Sequence, residues 1–286
     1  METITAQIST YQELGYLIIP NALDTEQLEA ARAEATAICR GERGLVKGTD
    51  PDLDEGADDL DVLRRYLCIH FPHKISALFR DIARAPSIVD TLTEVIGPNI
   101  KMMQSMLFIK AAGKPGQAWH QDEAHIPTRD RSLTAAWIAL DDATVDNGCL
   151  WVIPGSHRHG VIYPVRDQDD RRFDCTQEAY RFSYRESEAV PVEVPAGAAV
   201  VFNGYLLHRS LPNKASHGMR RALVNHYMSA ESLLPWFPPT EKQAIAQHDH
   251  RDIELIAGDD PYAYAGTTDV MRPGVRPDGD GGCVRR

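Results

Sequence analysis

Trp119-His120-Gln121-Asp122 is the stretch around which the rest of the sequence can be organised. Residues two apart on an extended segment point to the same side, so His120 and Asp122 can face one point while Gln121 faces away. A further histidine, His208, lies far downstream. Two imidazoles and one carboxylate are the ligand set that holds non-haem Fe(II) and leaves coordination positions open. Because a His-x-Asp pair is common by itself, the hypothesis of a metal site depends on the rest of the chain.

The composition is that of an ordinary globular protein without an excess of basic residues. The chain has 286 residues, of which 43% are hydrophobic, and this suits one large domain or two small ones with an ample core. Thirty Lys and Arg against 41 Asp and Glu give a net charge of −11 at pH 7. This balance argues against nucleic acid and anionic membranes as general partners. It leaves room for a local basic pocket that takes an anionic small molecule.

The N-terminal residues and the cysteines indicate a cytoplasmic protein. Residues 1–5 contain neither a basic nor an apolar region, so we expect no signal peptide. The sequence has no run of about 18 apolar residues, so we expect no membrane-spanning segment. The five cysteines are scattered without Cys-x-x-Cys spacing, which predicts reduced thiols.

The first part of the chain contains a strand signal and then a helix signal. The apolar residues of the 11–20 segment predict a short strand. Asp24, with Gln27 three residues on, has the arrangement of a capping box. This pair predicts a helix that begins there and continues to about Cys39.

A polar segment separates this helix from a second helical region. Residues 41–61 are acidic and without periodicity, so they are either a solvated loop or an active-site lid. Apolar positions with helical spacing over 75–83 predict a second helical region, which Pro86 ends or restarts.

From about Asn99 the sequence changes to short apolar or alternating runs separated by Gly, Pro and Asn turn signals. The predicted strands are 102–109, 134–140, 149–153, 190–194, 198–202 and 222–228. Helices followed by many short strands predict an α+β, mainly β fold. We expect a double-stranded β-helix (jelly roll) core with the N-terminal helices packed outside it.

A single domain over residues 1–286 is expected, because neither a linker nor an internal repeat is visible. Its predicted parts are a helical region over 1–98, a jelly-roll core over 99–230 and a C-terminal extension over 231–286. Alternating charges interrupt the strands at 162–188, and we interpret this segment as an insertion over one end of the barrel.

The predicted strands bring the metal-ligand candidates to one pocket. His120 and Asp122 lie just after the first core strand. His208 ends a strand predicted over 198–207, and Arg220 begins the next strand. Iron held on one face leaves three positions, two for a chelating 2-oxo acid and one for O2. The planar guanidinium of Arg220 suits the far carboxylate of such an acid.

Two alternatives accompany this prediction. Adjacent strand residues face opposite sides, so Arg221 competes with Arg220 for the inward position. The histidines and the aspartate could instead form a satisfied polar cluster or a zinc-type site on a cupin-like barrel.

Several motifs resemble one known family. In chain order they are Gln104-Ser-Met-Leu, Trp119-His-Gln-Asp, Ala136-Trp137, Asn147-Gly-Cys-Leu-Trp-Val-Ile-Pro-Gly-Ser-His157, His208-Arg-Ser210-Leu-Pro-Asn213 and Arg220-Arg-Ala-Leu. Together they resemble the phytanoyl-CoA dioxygenase (PhyH-like) group of Fe(II)/2-oxoglutarate oxygenases. The resemblance extends from Tyr11 to about Met228.

The resemblance implies a role for each central residue. His120, Asp122 and His208 are the implied ligands of Fe(II). Arg220 is the implied anchor of the distal carboxylate of 2-oxoglutarate, and Ser210 is the implied hydrogen-bonding partner of the same carboxylate.

Three more positions match residues that line the co-substrate pocket in relatives: Trp137, Met106 and Gln104. Each of them could equally be an ordinary core residue. Halogenases of this wider fold replace the acidic ligand with a small residue, so the retained Asp122 argues against halogenation.

The implied activity is that of an Fe(II)- and 2-oxoglutarate-dependent dioxygenase, a hydroxylase that uses O2 and releases succinate and CO2. Desaturation, epimerisation or cyclisation at the same centre is an alternative, since the outcome depends on substrate pose. A non-catalytic jelly-roll binding protein is another. We expect substrate selectivity to lie in 41–61 and 162–188. Neither segment offers a clearly basic entrance, which favours a free small-molecule substrate over a CoA thioester.

Other histidines are weaker candidates. His248-Asp249-His250 looks like a ligand triplet, but it lies beyond the barrel and is not expected to bind metal. His125 follows the His-x-Asp pair closely enough to contact substrate. His226 is expected to be a core residue.

Overall fold

The N-terminal region is helical, as the sequence predicts. The computed structural model describes residues 4–44, 46–49, 56–174, 176–234, 247–251 and 253–277. The α-helices are Ile4–Leu14 (α1), Thr25–Cys39 (α2), Asp59–Arg64 (α3), Ala77–Ala83 (α4) and Pro86–Val95 (α5), and short 3-10 turns lie at Pro72–Lys74, Asp122–Ala124, Glu186–Glu188 and Ala263–Ala265. Within these described ranges, no helix is long and apolar enough to cross a membrane.

The predicted capping box begins α2. The Asp24 carboxylate accepts a hydrogen bond from the backbone N–H of Gln27 at 2.8 Å, and the Gln27 side-chain oxygen accepts one from the N–H of Asp24 at 3.0 Å. Two N–H groups that the helix itself leaves unpaired are thereby satisfied. The start and the end of this helix are confirmed.

The strand predicted over 11–20 is wrong in its first half. Residues 11–14 are the last turn of α1, and only Tyr16–Ile19 form a strand. Gly15 lies between them with φ of 86°, and its N–H donates to the carbonyl of Tyr11 at 2.8 Å. A glycine in this left-handed conformation ends a helix. The apolar residues on both sides of Gly15 give no sign of the change from helix to strand.

Two antiparallel sheets form the core, and the predicted jelly roll is confirmed. The strands are Tyr16–Ile19 (β1), Tyr66–His70 (β2), Ile100–Ala111 (β3), Gln117–His120 (β4), Thr134–Ala139 (β5), Leu150–Val152 (β6), Val165–Arg166 (β7), Glu178–Ala179 (β8), Val190–Val192 (β9), Ala199–Asn203 (β10), His208–Ser210 (β11), Met219–Ser229 (β12), Glu254–Ala257 (β13) and Gly274–Pro277 (β14). The larger sheet has the order β1-β10-β5-β12-β3-β2-β14, with β13 also pairing with β3. The smaller sheet has the order β4-β11-β6-β9, and β7 pairs with β8 alone.

The larger sheet is buried on both faces. Along β10, Ala199 and Val201 pack in the core that the N-terminal helices share, whereas Val200 and Phe202 pack in a second core with residues of the smaller sheet. Alternate side chains of a strand point to opposite faces, so both sets must be apolar here. This is why the central strands appear in the sequence as continuous apolar runs.

The strand predicted over 198–207 is shorter than expected, and His208 belongs to a separate strand in the other sheet. β10 ends at Asn203, and β11 begins at His208 in the smaller sheet. At Gly204 an added Cβ would lie 2.9 Å from the Leu133 side chain, so the crossing needs a glycine. The crossing residues are nevertheless fully buried, as Leu206 illustrates, and their apolar character had suggested one continuous strand.

The two segments expected to set substrate selectivity are described to different extents. The 162–188 segment carries the β7–β8 hairpin, and its residue Phe173 forms a β-bridge with Gly116 next to β4. The 41–61 segment ends in the first turn of α3, while its acidic residues at 50–55 lie outside the described residues.

Candidate metal centre

His120, Asp122 and His208 meet between two paired strands of the smaller sheet. His120 on β4 lies directly opposite His208 on β11, and Asp122 follows β4 at the start of a 3-10 turn. Nε2 of His120 and Nε2 of His208 lie 3.6 Å and 3.5 Å from Oδ1 of Asp122. All three side chains are buried, and their ligand atoms lie within 4.8 Å of one another. One metal ion would fit between these atoms.

The backbone fixes which nitrogen of each histidine faces this point. Nδ1 of His120 donates to the carbonyl of Ala118 at 2.8 Å, and Nδ1 of His208 donates to that of Leu206 at 3.0 Å. The Nε2 lone pairs are therefore directed to the centre, as in metal-binding histidines whose other nitrogen is hydrogen-bonded. Burial, followed by the neighbouring His208, lowers the pKa of His120 to about 3, so this imidazole is neutral at pH 7.

Asp122 is held as a carboxylate with one oxygen directed to the centre. Burial alone would raise its pKa, but the imidazoles of His208 and His226 outweigh it and the pKa is lowered. Nε2 of His226 donates to Oδ2 of Asp122 at 3.1 Å, which leaves Oδ1 facing the two histidines. Gln121 points away, as predicted, and donates to the carbonyls of Val161 and Tyr205.

His226 is buried, as predicted for a core residue, and it is in addition part of the site. It lies on β12, six residues after Arg220, and both side chains line the same cavity. An even spacing on a strand places residues on one face, so this relation could have been found from the sequence once Arg220 was chosen.

Arg220, and not Arg221, faces the cavity. The Arg221 guanidinium binds Asp141 at 2.8 Å on the other side of the sheet. Arg220 is 3% exposed, and its guanidinium carbon lies 5.4 Å from the ring centre of Trp137. Its Nε and Nη1 have no hydrogen-bond partner among the described residues. Burial lowers its pKa to about 10, so it remains charged at pH 7.

Ser210 and Arg220 line the same cavity, and Ser210 is hydrogen-bonded to Lys110. Nζ of Lys110 donates to Oγ of Ser210 at 2.8 Å and to the carbonyl of Leu211 at 2.7 Å. Lys110 lies opposite Arg220 in the β3–β12 pairing. Burial, followed by the charge of Arg220, lowers the pKa of Lys110 well below its usual value. Nothing in the local sequence singles out this lysine, which stands there only as a polar residue at the end of an apolar strand.

The cavity has a volume of about 290 Å³. The three remaining predicted residues, Trp137, Met106 and Gln104, all line it. Trp137 and Met106 also belong to the core between the sheets. A residue at either position can therefore be a core residue and line the cavity as well. Further lining residues are His70, His125, Thr176, Gln177, Arg209 and Arg251, of which Thr176 and Gln177 come from the 162–188 segment.

In the triplet His248-Asp249-His250, Asp249 accepts a hydrogen bond from Nζ of Lys101 at 2.8 Å, and both side chains are buried. His125 lies on the cavity wall, with its ring centre 6.5 Å from that of His120.

Comparisons with known proteins agree with this geometry. Residues 11–222 match the family model described as phytanoyl-CoA dioxygenase (PhyH). Phytanoyl-CoA dioxygenase 1 of Oryza sativa subsp. japonica is 35% identical over 164 residues, which are 57% of each chain. The peroxisomal phytanoyl-CoA dioxygenase of Homo sapiens is 30% identical over 236 residues, 77% of this chain and 67% of that protein. The matched stretch is thus little more than half the length of the rice relative.

Solved structures share the fold at low sequence identity. A non-heme monooxygenase, ThoJ, is 23% identical with a TM-score of 0.65, over 96% of this chain and 89% of that chain. The alpha ketoglutarate dependent epimerase SnoN from nogalamycin biosynthesis is 18% identical with a TM-score of 0.61, over 85% of this chain and 93% of that chain.

Proposed function

Since the chain belongs to the phytanoyl-CoA dioxygenase (PhyH) family, we propose that it is an Fe(II)- and 2-oxoglutarate-dependent oxygenase that hydroxylates a small molecule. One observation carries the proposal. Three side chains that could hold a metal ion converge on one point, and a buried arginine, whose Nε and Nη1 have no partner among the described residues, lines the same cavity. These are the two fixed points that an iron ion and a 2-oxo acid require.

His120, Asp122 and His208 would hold the iron. The two imidazoles are directed by backbone carbonyls, and the carboxylate is restrained at its second oxygen, so the ligands would need little rearrangement. Bound iron would supply the activation of O2 that couples oxidation of the substrate to conversion of 2-oxoglutarate into succinate and CO2.

Arg220 would bind the distal carboxylate of 2-oxoglutarate. A buried guanidinium with unpaired N–H groups is costly, and a carboxylate would satisfy those groups with charge-assisted hydrogen bonds. Trp137 packs against the guanidinium and restricts its plane. Lys110 holds the Ser210 hydroxyl beside it, so Ser210 would add a contact to the same carboxylate.

The size of the cavity supports a small substrate. About 290 Å³ lies at the lower end of the range for ligand pockets and would have to hold 2-oxoglutarate as well. A bulky CoA group would have to remain outside. This supports the hydroxylation of a free small molecule, which would approach the metal along the wall formed by His125 and the 162–188 segment.

Epimerisation, cyclisation and zinc binding are the alternatives for the same three ligands. Among the proteins of similar fold, SnoN is described as an epimerase and SnoK as a carbocyclase. A zinc site would use the same three ligands but would give Arg220 no partner.

Anaerobic equilibrium dialysis tests the proposal. We expect about one Fe(II) per chain, and 2-oxoglutarate binding that becomes at least tenfold tighter when Fe(II) is present. Asp122→Ala should lose the iron and, with it, this enhancement. If the wild-type protein binds 2-oxoglutarate equally well with and without Fe(II), the proposal that the two bind at one site is wrong. Binding of Zn(II) without any 2-oxoglutarate binding would support the zinc alternative.

A further inference from the structure

Arg251, in the C-terminal segment, lines the same cavity as Arg220. We propose that Arg251 binds a carboxylate of the substrate, so that the enzyme acts on small organic acids. This inference rests on the proposed function and adds the chemical class of its substrate.

The register of β3 and β12 shows that Arg220 and Arg251 lie at different places along the cavity wall. Arg220 lies opposite Lys110 in the β3–β12 pairing, and His226 lies opposite Gln104. Six strand residues correspond to about 20 Å, so these two pairs lie toward opposite ends of the cavity wall. Nη1 of Arg251 donates to Oε1 of Gln104 at 2.8 Å, which places Arg251 at the His226 end. The distal carboxylate of a co-substrate bound at Arg220 would therefore lie at the other end of the wall from Arg251.

The segment that carries Arg251 is fixed to the sheet. Nζ of Lys101, on β3, donates to Oδ2 of Asp249, and the two side chains are 0% and 2% exposed. Oδ1 of Asp249 accepts a hydrogen bond from the backbone N–H of Leu234 at 3.1 Å. The Arg251 guanidinium carbon also lies 5.8 Å from the ring centre of Phe71. These contacts pre-organise Arg251, which reduces the entropy lost when a ligand binds.

The charges on the cavity wall favour an anion. The described lining residues include three arginines, Arg209, Arg220 and Arg251, and one carboxylate, Asp122. Arg209 forms an ion pair with Glu186. The chain as a whole has a net charge of −11 and therefore repels anions. The arginines of this cavity create a local positive potential that attracts them. The planar fork of an arginine suits a carboxylate best, because two parallel hydrogen bonds can form.

Matched compounds test the proposal on the full chain with Fe(II), 2-oxoglutarate and O2. The panel consists of aliphatic, aromatic and amino carboxylic acids, the methyl ester and amide of each, and phosphate monoesters of similar size. Succinate release is measured with each compound. We expect individual acids to stimulate release at least fivefold, and their esters and amides to have little effect.

Variants then assign the effect to Arg251. Arg251→Gln should raise the KM for the stimulating acid at least tenfold and leave the KM for 2-oxoglutarate within twofold, while Arg251→Lys should be intermediate. Arg272→Gln, the same change at an exposed arginine of the same C-terminal region, should behave as wild type.

The outcomes separate this inference from the proposed function. Succinate release that occurs without stimulation by any acid, equal stimulation by acids and esters, or an unchanged KM in Arg251→Gln would overturn the inference alone. Stimulation by phosphate monoesters only would overturn the assignment to carboxylates. A wild-type protein that loads no iron and releases no succinate would overturn the proposed function and this inference together.

Discussion

Nε2 of His226 donates a hydrogen bond of 3.1 Å to Oδ2 of Asp122, across 104 residues of sequence. The bond leaves a single oxygen of the carboxylate directed at His120 and His208. A ligand restrained in this way presents one donor atom in a fixed orientation, which suits a three-ligand centre that must keep other positions open.

Removing this bond should weaken iron binding without removing a ligand. We expect His226→Ala to lower Fe(II) affinity by about 10- to 100-fold, the range found when partners of metal ligands are lost. His226→Gln, which keeps a donor, should recover part of the loss. Anaerobic titration calorimetry measures both variants, with His217→Ala, an exposed position, as the control. Unchanged affinity in His226→Ala would mean that the Asp122 carboxylate needs no restraint.

The adjacent arginines should differ sharply in their effect on the co-substrate. Arg220→Ala removes charge-assisted hydrogen bonds worth about 1.5–3 kcal/mol, so the KM for 2-oxoglutarate should rise roughly 10- to 150-fold. Arg221→Ala breaks the ion pair with Asp141 on the opposite face, and the KM should stay within about threefold. Steady-state kinetics at varied 2-oxoglutarate compares the two, and equal increases would argue against the role given to Arg220.

Removing one partner of the buried pair Lys101–Asp249 should destabilise the fold strongly. Asp249→Asn leaves the Lys101 ammonium without its closest carboxylate in the core, and we expect a loss of about 3–5 kcal/mol in the free energy of unfolding. Adding Lys101→Met should recover much of that loss, because no charge is then buried. Urea denaturation measures both. Asp61→Asn, in an exposed pair with Arg64, should cost less than about 1 kcal/mol. A double variant no more stable than Asp249→Asn would contradict the electrostatic explanation.

His73 should make the fold less stable in mild acid. Burial lowers its pKa to about 4, and Nδ1 pairs with the Ser105 hydroxyl, whereas an unfolded histidine titrates near 6.5. Between pH 6.5 and pH 4, His73 therefore binds a proton in the unfolded chain but not in the folded chain. The contribution of neutral His73 to the free energy of unfolding is fully present above pH 6.5 and is lost as the pH falls toward 4.

Comparison with His73→Asn isolates this contribution. In iron-free protein, the stability of the wild type relative to the variant should decrease by about 2 kcal/mol between pH 7.5 and pH 5. His217→Asn, at an exposed histidine, should cause no such change. A constant difference across this range would show that the pKa of His73 is not depressed in the fold.

Local signals predicted a large part of the structure. The capping box at Asp24 and Gln27 fixes the start of α2 from four residues alone. The alternation of a strand allows only one of Arg220 and Arg221 to face the cavity, and the match of Arg220-Arg-Ala to the family motif favours Arg220. Motifs near His120 and His208 sufficed for the three candidate ligands because each motif lies on one short segment.

The remaining features depend on pairing between distant segments. His226, Lys110 and Arg251 are each unremarkable in their local sequence. His226 and Arg251 reach the cavity, and Lys110 reaches Ser210 on its wall, because β12 pairs with β3 in one register and because Asp249 binds Lys101. The crossing near Gly204 was missed because its residues are as apolar as the strand before them.

Oxygen-dependent conversion of 2-oxoglutarate to succinate tests the central claim most directly. Purified protein reconstituted with Fe(II) should produce succinate and CO2 in equal amounts, with none formed without O2 or after replacement of iron by Zn(II). His120→Ala and Asp122→Ala should lose this activity while keeping the wild-type circular dichroism spectrum. Iron-loaded wild-type protein that consumes no 2-oxoglutarate, either alone or with any compound of the panel, or an Asp122→Ala variant as active as wild type, would contradict the claim.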